Sequence, residues 1–119
     1  MKPIGIVANL EKPQAPGVAR AALRQLARLR QSVVVEENLA KRLKRKGGLP
    51  IQEVGRVCRL LIVLGGDGTV LRVTREVYPH EVLMLPVNVG RLGFLATVMP
   101  DRLNKVLVAV LRNKARITT

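Results

Sequence analysis

Five consecutive residues, Gly65-Gly66-Asp67-Gly68-Thr69, have the types and the order needed to bind a phosphate group. They follow the apolar run Arg59–Leu64, which predicts a buried strand, and they precede a segment of helical periodicity. Ligands of open parallel sheets bind beyond the carboxyl ends of the strands. Glycines permit positive φ and close backbone approach, and the amides and dipole of a helix N-terminus favour an anion. The turn therefore predicts a nucleotide-phosphate site, in which Thr69 caps the helix or touches the phosphate.

Asp67 is the member of this turn that would repel a phosphate. A carboxylate there could hold Mg²⁺ or accept a proton from an attacking hydroxyl, and both roles belong to phosphoryl transfer. The alternative is that Asp67 only caps the helix while the glycines make a tight turn. The turn is neither a Walker A loop, which needs a lysine, nor a Gly-x-Gly-x-x-Gly fingerprint.

A second segment, Asn88-Val-Gly-Arg-Leu-Gly-Phe-Leu95, follows the next predicted strand and so falls at the same edge of the sheet. Asn88 offers amide donors and an acceptor, and Gly90 permits close backbone approach. Phe94 is the only phenylalanine of the chain, and an adenine or nicotinamide ring could pack on it. The alternative for Phe94 is a core aromatic residue beside a bend.

Strands and helices alternate along the whole chain, which predicts one α/β domain over residues 1–119. We expect a Rossmann-like, three-layer domain with a largely parallel sheet. The pattern predicts strands at 2–8, 32–35, 59–64 and 82–87, and helices at 18–30, 36–46, 69–78 and 102–113, the last capped by Asp101. Residues 10–16, followed by Gly17, are predicted as a loop, and residues 49–57 are ambiguous.

Composition limits the classes of partner. The net charge of +13 favours polyanions, although a basic proteome or a missing acidic partner domain would explain it equally well. The basic cluster Lys41–Lys46 is interpreted as a solvated helix end, and His80 stands alone, so we expect no protein-only metal site. The single cysteine, Cys58, the absence of a signal peptide and the absence of a long apolar run predict a soluble cytoplasmic protein with no membrane partner.

The two glycine-containing segments together resemble the NAD kinase family. That family carries a Gly-Gly-Asp-Gly-Thr turn and, about twenty residues later, an Asn-x-Gly-x-Leu-Gly-Phe-Leu segment; both match here, at Gly65–Thr69 and Asn88–Leu95. Leu71 and Arg72 match the family's usual Leu-Arg. The resemblance covers roughly residues 59–113, and residues 1–58 agree in layout only. The first motif alone is shared with phosphofructokinases and lipid kinases.

The resemblance implies transfer of the γ-phosphate of ATP, or a phosphate of polyphosphate, to the adenosine-ribose 2′-hydroxyl of NAD with a divalent cation such as Mg²⁺. It implies that Asp67 accepts the hydroxyl proton and that Gly68 lines the NAD site. Leu71, Arg72 and Phe94 match positions that contact NAD, and Gly65 and Gly66 would border the phosphates and the cation. Family members are commonly homo-oligomers.

Two departures from the family pattern are visible. Ala96 precedes Thr97 where the family reads Gly-Phe-Leu-Thr, and no β-rich second domain with an Asn-Glu or Asn-Asp pair is present. We therefore expect an isolated N-terminal domain with little or no turnover, whose partner is the missing domain. The alternatives are a non-catalytic nucleotide or polyphosphate module, a lipid kinase, and a charge-driven nucleic-acid binder. The scarcity of aromatic residues argues against a binder of single-stranded nucleic acid. We expect no nucleic-acid partner.

Overall fold

The computed structural model describes residues 2–89 and 103–117, without the side chains of Asp67, Leu103, Asn104 and residues 113–117. Strands and helices alternate over most of this part of the chain. In order they are β1 (Ile4–Ala8), α1 (Ala15–Arg28), β2 (Val33–Val35), α2 (Glu37–Arg42), α3 (Ile51–Val57), β3 (Leu60–Gly65), α4 (Asp67–Val77), β4 (Leu83–Asn88) and α5 (Leu103–Ile117).

The four strands form one parallel sheet in the order β2-β1-β3-β4. Strands β1 and β3 are central and buried along their whole length, because helices cover both faces of the sheet. The predicted α/β class, with a parallel sheet and three layers, is confirmed. The register places Gly65 opposite Asn88, so the two predicted site segments start from neighbouring strand ends.

Alternate strand residues face two separate hydrophobic cores. One core contains Ile4, Ile6 and Ile62 and packs against α1, α2 and α5. The other contains Val7 and Val63 and packs against α3 and α4. The core is therefore aliphatic in the described part of the chain, and Cys58 is buried in the second core as a small apolar residue.

Helix α1 begins at Ala15, so the prediction of a loop reaching Gly17 was wrong. Pro16 falls in the first turn, where a missing N–H costs nothing and the fixed φ suits a helix. The helix ends at Arg28, and Arg30 then adopts a left-handed φ of 56°. The predicted outward row of Arg20, Arg24 and Arg28 is exposed, as expected.

Helix α2 is much shorter than the predicted span of 36–46. The Glu36 carboxylate caps it by accepting the Asn38 and Leu39 N–H groups at 2.9 and 3.2 Å. The helix ends at Arg42 because Lys44 takes a left-handed φ of 57°, before Gly47 and Gly48 are reached. The ambiguous segment 49–57 provides α3.

Helix α4 begins at Asp67, two residues before the predicted start, and β3 extends to Gly65. The glycine turn is therefore tighter than the sequence suggested. Strand β4 ends with Asn88, and α5 runs to Ile117 rather than Asn113. The predicted cap Asp101 lies outside the described residues. No helix within the described ranges is long and apolar enough to cross a membrane.

Candidate nucleotide-binding cleft

A cleft of about 1200 Å³ opens at the carboxyl ends of β1, β2 and β3. One wall is the glycine turn with the adjoining face of α4. The opposite wall combines the loop after β1 (residues 9–12) with the first residues of α2 and α3. The volume exceeds the roughly 300–1,000 Å³ of an ordinary small-molecule pocket, so the cleft has room for a nucleotide.

Gly66 is the N-cap of α4, and its extended backbone has φ −121° and ψ −164°. The Gly66 N–H donates to Thr69 Oγ1 at 3.3 Å, and the Thr69 N–H donates to the Gly66 carbonyl at 3.1 Å. Thr69 is thus a buried member of the capping arrangement, as one of its two predicted roles required. Gly65, Gly66 and Gly68 do not use the positive φ that glycine permits, because among the described glycines only Gly47 has a φ in that range.

The glycines of the turn provide space instead of unusual dihedral angles. A Cβ added at Gly65 would lie 2.8 Å from the Cβ of Thr69, so the strand and the helix start approach closely only because Gly65 lacks a side chain. A Cβ at Gly66 or Gly68 would meet no atom within 4 Å. Both of these residues line the cleft, so their backbone is open to a ligand.

The first turn of α4 has the properties of an anion site. The first N–H groups of an α-helix lack intrahelical partners, and the helix dipole places partial positive charge beside them. Helix α4 is 11 residues long, and its N-cap Gly66 and its residue Gly68 border the cleft. The arrangement suits a phosphate whose oxygens accept hydrogen bonds from the backbone.

The wall formed by the β1 loop and α2 was not predicted as part of the site. Asn9 Oδ1 accepts the Glu11 N–H at 3.0 Å, which turns the loop and brings the half-buried Lys12 to the cleft. Glu36 also lines the cleft, but its carboxylate is engaged in capping α2. The rule that ligands lie at the carboxyl ends of parallel strands applies to β1 and β2 as well, and it could have identified these residues.

Cations and carboxylates both face the cleft. Arg72 Nε lies 3.4 Å from Glu76 Oε1, with both side chains about half exposed. An exposed pair of this kind contributes little to stability, roughly 0–1 kcal/mol, so the Arg72 guanidinium can exchange this carboxylate for a ligand phosphate. Arg72 and Lys12 are the cationic side chains among the described lining residues.

The predicted site residues differ in their position relative to the cleft. Gly66, Gly68, Thr69 and Arg72 line the cleft. Gly65 and Asn88 lie just beneath it as paired strand ends, both buried. Leu71 is 62% exposed on α4 and does not line the cleft.

The remaining predicted residues are less fully described. Asp67 is the first residue of α4, but its side chain lies outside the described atoms. Gly90 and Phe94 lie outside the described residues altogether.

A divalent cation would need oxygen ligands at the cleft. Within residues 2–89 and 103–117, no group of three or more His, Cys, Asp or Glu residues forms a metal site. Mg²⁺ in phosphoryl-transfer sites is bound through substrate phosphates and one or two carboxylates. The described residues therefore provide no cluster of protein ligands that could hold such a cation without the nucleotide.

Comparison with known proteins identifies the family. The family model described as "ATP-NAD kinase N-terminal domain" matches residues 4–115. The chain belongs to this family. The NAD kinase of Geobacter metallireducens is 36% identical to it over 118 residues, covering 99% of this chain and 41% of that protein. The NAD kinase of Pseudomonas putida (strain W619) is 34% identical over 110 residues, covering 91% of this chain and 37% of that protein.

A solved structure supports the fold of this NAD kinase-family domain. The crystal structure of yeast NADH kinase complexed with NADH superposes with a TM-score of 0.81 at 22% identity, covering 94% of this chain and 38% of that chain. The chain thus spans about two fifths of the length of its relatives.

Proposed function

We propose that the glycine turn Gly65–Thr69 and the adjoining part of α4 form the phosphate-binding wall of an enzyme that phosphorylates NAD to NADP. The observation that carries the proposal is the glycine turn, whose unobstructed Gly66 and Gly68 open into the cleft at the N-terminus of α4. Family membership adds the choice of substrate, because the relatives are named NAD kinases. The yeast NADH kinase structure, which contains NADH, is consistent with a dinucleotide at this domain.

In the proposed reaction, Asp67 accepts the proton of the adenosine-ribose 2′-hydroxyl of NAD. The hydroxyl oxygen forms a bond to the γ-phosphorus of ATP, while the bond from that phosphorus to the β–γ bridging oxygen breaks and ADP leaves with the electron pair. The backbone at Gly65 and Gly66 borders the phosphates, and the dipole of α4 stabilises their negative charge. A general base in this position contributes about 10²–10⁴-fold to the rate.

For each of the other site residues we propose a role from its position. Gly68, Leu71 and Arg72 contact NAD, and Thr69 supports the turn through its bond to Gly66. Asn88 ends the adjoining strand β4. Gly90 is proposed to permit close approach of the backbone to the ligand, and Phe94 is proposed to pack against the dinucleotide. Leu71 is available for such a contact because it is an exposed apolar residue.

A divalent cation such as Mg²⁺ would supply charge neutralisation at the transferred phosphate. It would be bordered by the backbone at Gly65 and Gly66, with the phosphates of ATP as its main ligands. Polyphosphate is the alternative donor, since the same anion site would accept any chain of phosphates. The single, buried Cys58 agrees with the proposed location in the cytoplasm.

These 119 residues are proposed to be one domain that supplies only part of the active site. The chain spans about two fifths of its relatives' length, and we propose that a second, β-rich domain supplies the remaining contacts to NAD. By itself the chain is expected to form little or no NADP. The full-length protein is proposed to be a homo-oligomer.

The test is a chimera in which these 119 residues replace the matching part of the Geobacter metallireducens NAD kinase. The chimera is expected to form NADP from NAD and ATP, whereas the 119-residue chain shows little or no turnover. Asp67→Asn in the chimera should lower kcat by at least about 100-fold, because the proton acceptor is lost. The dissociation constant for NAD should stay within about threefold, because the substituted group acts on the reacting proton.

Glu53→Gln is the matched control, since Glu53 is an exposed carboxylate on α3 outside the cleft. It should leave kcat unchanged. Two outcomes contradict the proposal: a folded, NAD-binding chimera that forms no NADP, and an Asp67→Asn chimera with full activity. The first of these would favour a non-catalytic binding module.

A further inference from the structure

The two helical layers of the domain differ sharply in charge. Helices α1 and α5 contact each other on one side of the sheet and together carry seven Lys or Arg residues and no Asp or Glu. The short helix α2 on the same side adds Lys41, Arg42 and one acidic residue, Glu37. Helices α3 and α4 on the other side carry three basic and three acidic residues. If the basic residues were evenly distributed, both helical layers would carry the excess positive charge. Instead, the excess is concentrated on the face formed by α1 and α5.

Those basic side chains of α1 and α5 that the structure describes are directed to solvent. Arg20, Arg24 and Arg28 on α1 are exposed, as are Lys105 and Arg112 on α5. Within the described part of the chain, none of these five has an ion-pair partner, whereas the opposite layer holds the pairs Glu53–Arg56 and Arg72–Glu76. Arg20, Arg24, Arg28, Lys105 and Arg112 together form a basic face.

The arrangement of the arginines suits a regular array of phosphates. Arg20, Arg24 and Arg28 recur every four residues, so they form a row with about 6 Å of rise between members. Double-helical DNA carries one negative charge per roughly 1.7 Å of its axis. Arginine binds phosphate through two parallel N–H groups, and arginine outnumbers lysine on this face. A row of this length can therefore neutralise several backbone phosphates at once.

Other polyanions fit the basic face less well. A single-stranded nucleic acid needs aromatic side chains for base stacking, and neither α1 nor α5 contains one. Insertion into a membrane surface needs exposed apolar residues beside the basic ones. The exposed large apolar residues in the described ranges, Leu71, Tyr78 and Leu83, belong to α4, its C-terminal end and β4. The apolar stripes of α1 and α5 are used by the core.

We propose that the basic face binds the backbone of double-stranded DNA without reading its sequence. The face presents charge but no element shaped to enter a groove, so the contacts are to phosphates alone. This binding is separate from the nucleotide cleft, since none of the five residues of the basic face lines the cleft. The earlier expectation of no nucleic-acid partner rested on composition, which does not show how charge is distributed.

The test measures binding of the 119-residue chain to a fluorescein-labelled 20-base-pair duplex by fluorescence anisotropy over a range of salt concentrations. The double variant Arg20→Gln/Arg24→Gln should weaken binding at least tenfold at roughly 0.1 M salt. It should also reduce the slope of log K against log salt by about 2, because each lost phosphate contact removes about 0.9 from the slope. Lys105→Gln/Arg112→Gln should have a similar effect.

Arg56→Gln/Arg75→Gln is the charge-matched control, because it removes two arginines from the opposite layer. It should change the affinity by less than about threefold. Arg20→Lys/Arg24→Lys keeps the charge and should keep most of the salt slope, which separates a charge effect from misfolding. Circular dichroism should show the same helix content in all variants, since the substituted side chains are exposed.

Four results would overturn the proposal. The first is an equal loss of affinity in the control variant, which would mean that net charge alone drives binding. The second is displacement of the duplex by saturating ATP or NAD, which would place the DNA in the cleft. The third is tighter binding to single-stranded DNA or duplex RNA. The fourth is tighter binding to phosphatidylserine vesicles or polyglutamate, with the same dependence on Arg20 and Arg24.

Discussion

Gly65 and Gly68 are three residues apart, but the missing side chain has a different consequence at each position. The missing side chain at Gly65 leaves room for Thr69, whose Cβ and Cγ2 would lie 2.8 and 2.9 Å from an added Cβ. Gly68 has no neighbour within that range and faces the cleft. The first glycine is therefore required by packing, whereas the second leaves its backbone accessible to a ligand.

Gly65→Ala should lower the free energy of unfolding by about 1–3 kcal/mol, because the new methyl group overpacks the strand-to-helix junction. Gly68→Ala should leave it unchanged or raise it by up to about 1 kcal/mol, because alanine favours the helix and reduces the freedom of the unfolded chain. Urea denaturation followed by circular dichroism measures both. Equal destabilisation by the two substitutions would contradict the difference in packing.

Also at the scale of single residues, the ionisation of Cys58 should make the free energy of unfolding depend on pH. Burial raises the pKa of the Cys58 thiol to about 11, above the roughly 8.5 of an unfolded cysteine. Between these values the unfolded chain loses the thiol proton while the folded chain retains it, so the free energy of unfolding falls as pH rises. Below pH 8.5 both states keep the proton and the effect disappears.

The measurement is thermal unfolding of the wild type and Cys58→Val at pH 7, 8.5 and 10. The difference in stability between the two proteins should shift in favour of the valine variant as the pH rises. The variant serves as the reference because it differs from the wild type only at position 58, so every other pH-dependent contribution is common to both proteins. A difference that stays constant from pH 7 to 10 would be inconsistent with a buried, neutral thiol.

At the scale of elements, the short helix α2 depends on its cap. The Glu36 carboxylate accepts two N–H groups of the first turn, and its own N–H donates to the Ile6 carbonyl at 3.0 Å. Leu39 and Ala40 then reach the core behind the cleft wall. With only six residues, α2 has too few internal hydrogen bonds to form without the cap and the tertiary contacts.

Glu36→Ala should lower the free energy of unfolding by about 1 kcal/mol, within the range of roughly 0.5–2 kcal/mol for lost N-caps. Glu36→Gln should restore part of it, because an amide oxygen can accept the same bonds. Urea denaturation gives both values. Glu37→Ala is the control, since Glu37 is exposed and caps nothing; if it destabilised the protein as strongly as Glu36→Ala, the capping explanation would fail.

At the scale of the whole molecule, the 119-residue chain has a net charge of +13. Its concentration on the α1/α5 layer places like charges close together, and repulsion of this kind destabilises the compact state. Dissolved salt screens it, because the Debye length falls from about 30 Å at 0.01 M to about 8 Å at 0.15 M. Stability should therefore depend on ionic strength.

Raising NaCl from about 0.01 to 0.15 M should increase the Tm of the chain, and differential scanning fluorimetry measures the change. The increase should be smaller for Arg20→Gln/Arg24→Gln than for Arg56→Gln/Arg75→Gln, although both variants lose two charges. The reason is that Arg20 and Arg24 lie among like charges, whereas Arg56 has Glu53 as its partner. Identical salt dependence in the two variants would mean that the position of the charge is unimportant.

The local sequence determined the family, the parallel α/β class and most of the elements. Strand β3 and the helix after it were predictable. A run of aliphatic residues that is followed by glycines is typical of a buried parallel strand that ends in a turn. Helix boundaries were less predictable, because Pro16 and Gly17 suit a loop as well as a first helical turn. The left-handed Lys44 that follows α2 gave no sequence signal either.

Only the tertiary structure decided which residues share the cleft and which face carries the charge. Lys12 and Arg72 are sixty residues apart in the chain, and the order of the strands brings them to one cavity. Likewise, α1 and α5 are distant in sequence and become neighbours because both cover the same face of the sheet. The pattern of residues within a segment is set by local geometry, but contacts between segments depend on strand order, which single-segment periodicity does not encode.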